Sequence, residues 1–72
     1  MKVSRFRRGV YIITIHDKSF TLEKLAEDKY WTLYNARNTE INRCETKSGM
    51  LQIMKDWTAE KVLRESQMED FA

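Results

Sequence analysis

Seventy-two residues suffice for one small domain, and a chain of this size buries only about 60% of the surface its unfolded form exposes. A third of the residues are charged, proline is absent and glycine occurs only twice, a composition that excludes a linker or a disordered tail. The lone cysteine, Cys44, excludes a disulfide framework and fits a reducing, cytoplasmic setting; no apolar run approaches the roughly 18 residues of a membrane span, and Met1 to Val10 lacks a signal-peptide core.

The chain opens on a basic stretch. Lys2, Arg5, Arg7 and Arg8 give residues 1–16 four positive charges and no acid. Residues 17–47 balance six bases against six acids, and residues 48–72 set three bases against five acids, so the net charge of +2 is unevenly placed. Residues 1–8 read as a basic N-terminal arm that attracts phosphate or an acidic protein. If the first strand begins early, Arg5 and Arg7 share a face.

Gly9 to Ile15 is rich in β-branched and aromatic residues and predicts a strand ending at the polar turn His16-Asp17-Lys18-Ser19. Phe20 to Leu25 alternates apolar and polar residues, completing a hairpin. After the break Glu27-Asp28-Lys29, Tyr30 to Tyr34 predicts a third strand and Ile41 to Glu45 a short fourth, joined by the turn Asn35 to Thr39. One rival exists: Leu22, Leu25, Ala26, Tyr30, Leu33 and Tyr34 also fall at helical spacing, with Thr21 as a cap.

From Thr46 the period changes. Thr46 can cap a helix whose Met50, Ile53, Met54 and Trp57 share one face. Lys61 interrupts that face. A bend or new helical segment is expected near Thr58, with Thr58 as cap and Trp57 stapled to Val62. The expected fold is α+β: one domain, residues 1–72, with an antiparallel sheet of three to four strands and one C-terminal helix bent near Thr58. Residues 67–72 should fray. Cys44 reads as a small buried hydrophobe and the methionines as core.

The strand pattern carries a further implication. Tyr11, Ile13 and Ile15 point to one face of their strand, Val10 and Ile12 to the other. A single helix covers one face only, which leaves Val10 and Ile12 for a protein partner or a second copy of the chain in a homodimer.

Catalysis has little basis here. His16 is the only histidine and falls in a turn, one Cys with one His cannot build a zinc site, and the two glycines form no phosphate loop. Glu27-Asp28 and Glu69-Asp70 read as solvated turn and tail carboxylates. No enzyme activity, metal or cofactor is expected. Nucleic-acid binding has more support: Arg5, Arg7 and Arg8 precede the first strand, and Tyr30, Thr32 and Tyr34 share a sheet face with Arg43 on the next strand. Glu23 and Glu40 should lie near them and oppose phosphate.

The run Tyr30-Trp31-Thr32-Leu33-Tyr34, the turn Asn35 to Thr39, the strand Ile41 to Glu45 and the helix start Thr46-Lys47 followed by Met50 and Leu51 resemble the arm-type DNA-binding domain of phage tyrosine integrases. The resemblance covers about half the chain. It implies a small sheet with one helix that binds DNA, without that family's catalytic domain. Glu45 and Met50 stand where the family usually has an aromatic residue and an alanine. The layout, size and mixed charge are also similar in style to small free-standing phage accessory proteins, which often mask a host protein.

The expectation is a non-enzymatic phage-type or accessory protein that binds a host protein or complex and modulates it. The alternative is a small DNA-binding module using the basic arm and one sheet face, for which a net charge of +2 is low. Arg5, Arg7, Arg8, Tyr30, Tyr34 and Arg43 are the candidate contacts to nucleic acid or an acidic partner, and Val10 and Ile12 the candidate protein interface. No membrane partner is expected.

Overall fold

The computed structural model describes residues 1–69. Five strands, Lys2–Arg7 (β1), Val10–Ile15 (β2), Lys18–Glu23 (β3), Trp31–Asn35 (β4) and Glu40–Cys44 (β5), form one antiparallel sheet in the order β1-β2-β3-β4-β5. Two helices follow, Lys47–Lys55 (α1) and Ala59–Ser66 (α2). The α+β class is as the sequence implied, with one strand and one helix more than expected.

The extra strand is β1. Residues expected as an arm pair with β2 from Lys2↔Thr14 to Arg7↔Val10, with a bulge between Arg5 and Arg7. That bulge inserts Phe6 and breaks the two-residue alternation by which a strand is recognised. It also flips the side-chain sequence: Arg5 shares the Tyr11 face, Arg7 the Val10 face. The two arginines therefore do not share a face.

The β2–β3 hairpin turns on His16 and Asp17, both at positive φ (47° and 63°), as a two-residue turn of the kind that matches strand twist demands. Lys18 and Ser19, expected in the turn, belong to β3. The helical rival for residues 22–34 fails, because Leu22 pairs with both Tyr11 and Leu33 while Leu25 and Tyr30 lie exposed in the β3–β4 connection.

Both caps lie where the sequence puts them. The Thr46 hydroxyl accepts from the Gly49 N–H at 2.9 Å and the Thr58 hydroxyl from the Lys61 N–H at 3.1 Å. Asp56 to Thr58 separates the helices, so the chain has two short helices in place of one bent helix. Met50, Met54, Trp57 and Val62 pack on Ile13, Ile15, Phe20, Leu22 and Leu33, with the Phe20 and Trp57 rings edge-to-face at 5.8 Å. Ile53 is not among them: it stays exposed, and partly buried Leu51 packs on the core from the other flank of α1.

Asn35 locks the layers together. Its side-chain oxygen accepts from the N–H groups of Arg37 and Thr39, and its amide donates to the carbonyls of Glu65 and Met68 at 2.9 and 2.8 Å. The sequence reading makes Asn35 a turn residue, whereas Asn38 takes the left-handed conformation (φ 62°). Of the tail expected to fray, Gln67 caps α2, Met68 is held by Asn35 and Glu69 pairs with Arg37. Residues 70–72, including Asp70, lie outside the described residues. No helix among the described residues is long and apolar enough to cross a membrane.

Candidate binding surface

Both helices lie on one side of the sheet, the side of Ile13, Phe20, Leu22 and Leu33. Register places Val10, Ile12, Thr21, Glu23, Thr32, Tyr34 and Arg43 on the other. Val10 and Ile12 do face away from the helices, but Val10 is only 4% exposed within the single chain. Val10 is thus not available as an interface residue, and Ile12 is half-buried between Ser4 and Thr21 in the register.

Tyr30, Tyr34 and Arg43 come together on this open face, around a recess of about 350 Å³ completed by Glu27, Asp28, Lys29, Thr32 and Glu40. Its electrostatics oppose phosphate. Glu40 takes the Arg43 guanidinium in a two-pronged pair, Nε to Oε2 at 2.8 Å and Nη2 to Oε1 at 3.1 Å. Burial, and then the charges of Glu23, Glu40 and Asp28, raise the Tyr34 phenol above its usual range, with Arg43 offsetting part of this.

Arg5, Arg7 and Arg8 are not brought to this recess. The sheet order puts β1 and β5 on opposite edges, about 19 Å apart at four strand spacings. The six residues that the sequence groups as one nucleic-acid surface therefore divide between two edges.

What the fold does gather lies on the helix side, at the end of the sheet that the helices leave partly open. Tyr11 and Trp31, both half-buried, meet with ring centroids 5.9 Å apart. The Lys47 ammonium, from the first residue of α1, sits 4.1 Å over the Tyr11 ring. Arg5 is opposite Tyr11 in register. Beside them a recess of about 550 Å³ is lined by Arg8, Gly9, Lys24, Leu25, Ala26 and Trp31.

Gly9 makes that recess possible. It adopts φ 79° and its carbonyl accepts from the Lys24 N–H at 2.8 Å. A Cβ on Gly9 would stand 2.5 Å from the Lys24 carbonyl oxygen. The β1–β2 turn and the start of the β3–β4 connection are thereby held against each other.

Among the described residues, Arg5, Arg7, Arg8, Lys24 and Lys47 have no carboxylate within salt-bridge distance, unlike Arg37, Arg43, Lys61 and Arg64. The β3–β4 connection puts both of its acids, Glu27 and Asp28, on the open-face recess together with Lys29, and leaves Lys24 on the helix-side one with no acid beside it. Sequence reasoning missed Tyr11, Lys24, Trp31 and Lys47. Strand alternation assigns Tyr11 to the core, and the signal present is that this end of the core face carries Tyr and Trp, which have polar ring atoms, where its middle carries Ile13, Phe20, Leu22 and Leu33.

His16 lies exposed in its turn, and among the described residues no group of three or more His, Cys, Asp or Glu could hold a metal ion. Cys44 is a free thiol partly buried against the core. Chemically, the helix-side surface offers unpaired cations beside aromatic and aliphatic walls, a combination suited to an anion joined to an apolar group. Comparison with protein-family models, curated proteins and solved structures finds no match.

Proposed function

We propose that this chain is a non-enzymatic, phage-type or accessory protein that acts in the cytoplasm by binding a protein partner and modulating it, and that it takes an acidic, extended segment of that partner along β1. The observation that carries this reading is the state of β1. All six of its residues are exposed, it has a neighbour on one side only, and its arginines have no carboxylate partner among the described residues. An edge strand presents unpaired N–H and C=O groups that match the backbone of another strand.

Charge selects the occupant. Pairing β1 with β1 of a second copy would set two strands of three positive charges each side by side, which like-charge repulsion disfavours. The same charges and the Phe6 bulge keep copies apart while attracting acidic chain. A nucleic acid would meet the arginines but leave the strand's backbone groups unmatched, and Glu27, Asp28 and Glu40 guard the Tyr30–Tyr34 face.

The test is a titration of isotope-labelled protein with an octapeptide of alternating glutamate and valine, with a short DNA duplex as comparator. Amide shifts and exchange protection should concentrate on Lys2–Arg7, weaken with added salt, and vanish in the Arg5→Ala/Arg7→Ala/Arg8→Ala variant. Tighter binding of the duplex, with shifts at Tyr30, Tyr34 and Arg43, would replace this reading with DNA binding.

A further inference from the structure

We infer that the recess between Arg8, Lys24, Leu25 and Trp31 receives a bulky apolar side chain of the partner segment, with a neighbouring carboxylate held by Arg8 and Lys24. This inference rests on the reading of β1 as the receiving edge and specifies what the segment must carry beyond its backbone and charge.

Four observations converge. The recess volume of about 550 Å³ lies within the roughly 300–1,000 Å³ of ordinary ligand sites and is ample for one aromatic side chain. Its walls are apolar at Leu25, Ala26 and Trp31. Leu25 is half exposed, although it is a large aliphatic residue beside a tryptophan. The two cations on its lining, Arg8 and Lys24, have no carboxylate partner among the described residues.

Continuity with β1 supplies the path. Arg8 and Gly9 directly follow the strand, so the turn that ends β1 is also a wall of the recess, and a partner strand paired parallel to β1 runs its C-terminal end towards it. The recess is bounded on its far side by the start of β4, three strand spacings or about 14 Å from β1. Four extended residues beyond the paired stretch cover that distance at about 3.4 Å each. The carboxylate is either the side chain of an adjacent Glu or Asp or the C-terminal carboxylate of the partner chain. Both present the same two oxygens to Arg8 and Lys24.

Trp31 reports occupancy, because it lies on the recess while Trp57 is buried in the core. The probes are the Glu/Val octapeptide extended by Glu-Phe, the same peptide ending in Glu-Ala, each as free acid and as amide, and the dipeptide N-acetyl-Glu-Phe, which is too short to pair with β1. The Phe peptide should bind about tenfold tighter than the Ala peptide and change Trp31 emission. The surface variants Lys24→Glu and Leu25→Asp should erase that difference while leaving amide protection on β1 intact. Loss of affinity on amidation assigns the carboxylate to a chain terminus, and equal affinity assigns it to the glutamate side chain.

Equal binding of Phe and Ala peptides, with β1 protected, overturns the recess and leaves the edge standing. If β1 is unprotected while the dipeptide still shifts Trp31 emission, the edge reading fails and the recess stands as a site of its own. Silence of Trp31 with every probe overturns the recess outright.

Discussion

The Lys47 ammonium lies 4.1 Å above the Tyr11 ring. This contact joins the first residue of α1 to the second residue of β2, thirty-six positions earlier, at the open end of the core. It fixes a cation next to the Trp31 recess and shields one face of Tyr11. Lys47→Met should remove about 0.5–1 kcal/mol of stability, a fall of roughly 4–8 °C in melting temperature per kcal/mol. Lys47→Glu should additionally weaken the acidic peptide, read by calorimetric titration. A variant melting with the parent would show that the contact carries no energy.

Asn35 satisfies four backbone groups from a buried position. Asn35→Ala leaves the carbonyls of Glu65 and Met68 and the N–H groups of Arg37 and Thr39 without that partner. A loss of about 2–3 kcal/mol is expected in denaturant unfolding. Asn35→Asp keeps both acceptor bonds but sets a carboxylate against two carbonyls, so it should rescue little of the loss. Rescue to parental stability would mean that the α2 contacts are not needed.

The two glycines should respond alike to alanine for different reasons. At Gly9, alanine meets positive φ and the Lys24 carbonyl together, so a loss of about 1–3 kcal/mol and a disturbed Trp31 environment are expected. At Gly49, inside α1, helix propensity alone favours alanine by up to about 1 kcal/mol. There the new Cβ would stand 2.8 Å from the Thr46 hydroxyl and 2.9 Å from the Cys44 sulfur, disturbing the cap. Thermal unfolding of Gly49→Ala decides between the terms, and a net loss is expected.

Alkaline titration should single out Tyr34. Its folded pKa is raised above 10.0, first by burial and then by Glu23, Glu40 and Asp28. The fold therefore favours the protonated phenol. That contribution is complete below pH 10.0 and is lost as pH rises through the raised folded value. Phenolate absorbance should show one late tyrosine that Tyr34→Phe removes. Glu40→Gln should bring it earlier, since it deletes a raising charge and releases the Arg43 guanidinium. An unchanged titration in Glu40→Gln would refute this assignment.

Arg43 and Arg8 should separate in binding assays. Arg43 is engaged by Glu40, whereas Arg8 has no carboxylate partner among the described residues. Arg43→Ala should leave affinity for the acidic octapeptide within about twofold, and Arg8→Glu should reduce it about tenfold, a charge reversal worth near 1.4 kcal/mol. Equal losses would point to a diffuse electrostatic attraction and away from a localised surface.

Features that depend on near neighbours in the chain are legible in its residues alone. The β-rich run from Gly9 to Ile15, the alternation that begins at Phe20, a polar turn between them, the caps Thr46 and Thr58 and the core residues Met50, Met54 and Trp57 all follow from interactions spanning a few residues. The remaining features arise only once the strands pair and the helices dock. The Phe6 bulge hid β1 within a run of charges and parted Arg5 from Arg7. The register shift at Leu33/Tyr34 puts Glu40 and Arg43, three residues apart on β5, on one face, where strict alternation would part them, and so engages that arginine. Tyr11, Lys24, Trp31 and Lys47 are scattered over thirty-seven positions and become neighbours only when five strands align and α1 docks. Such a surface leaves almost no local pattern, because its parts are chosen by packing between distant segments.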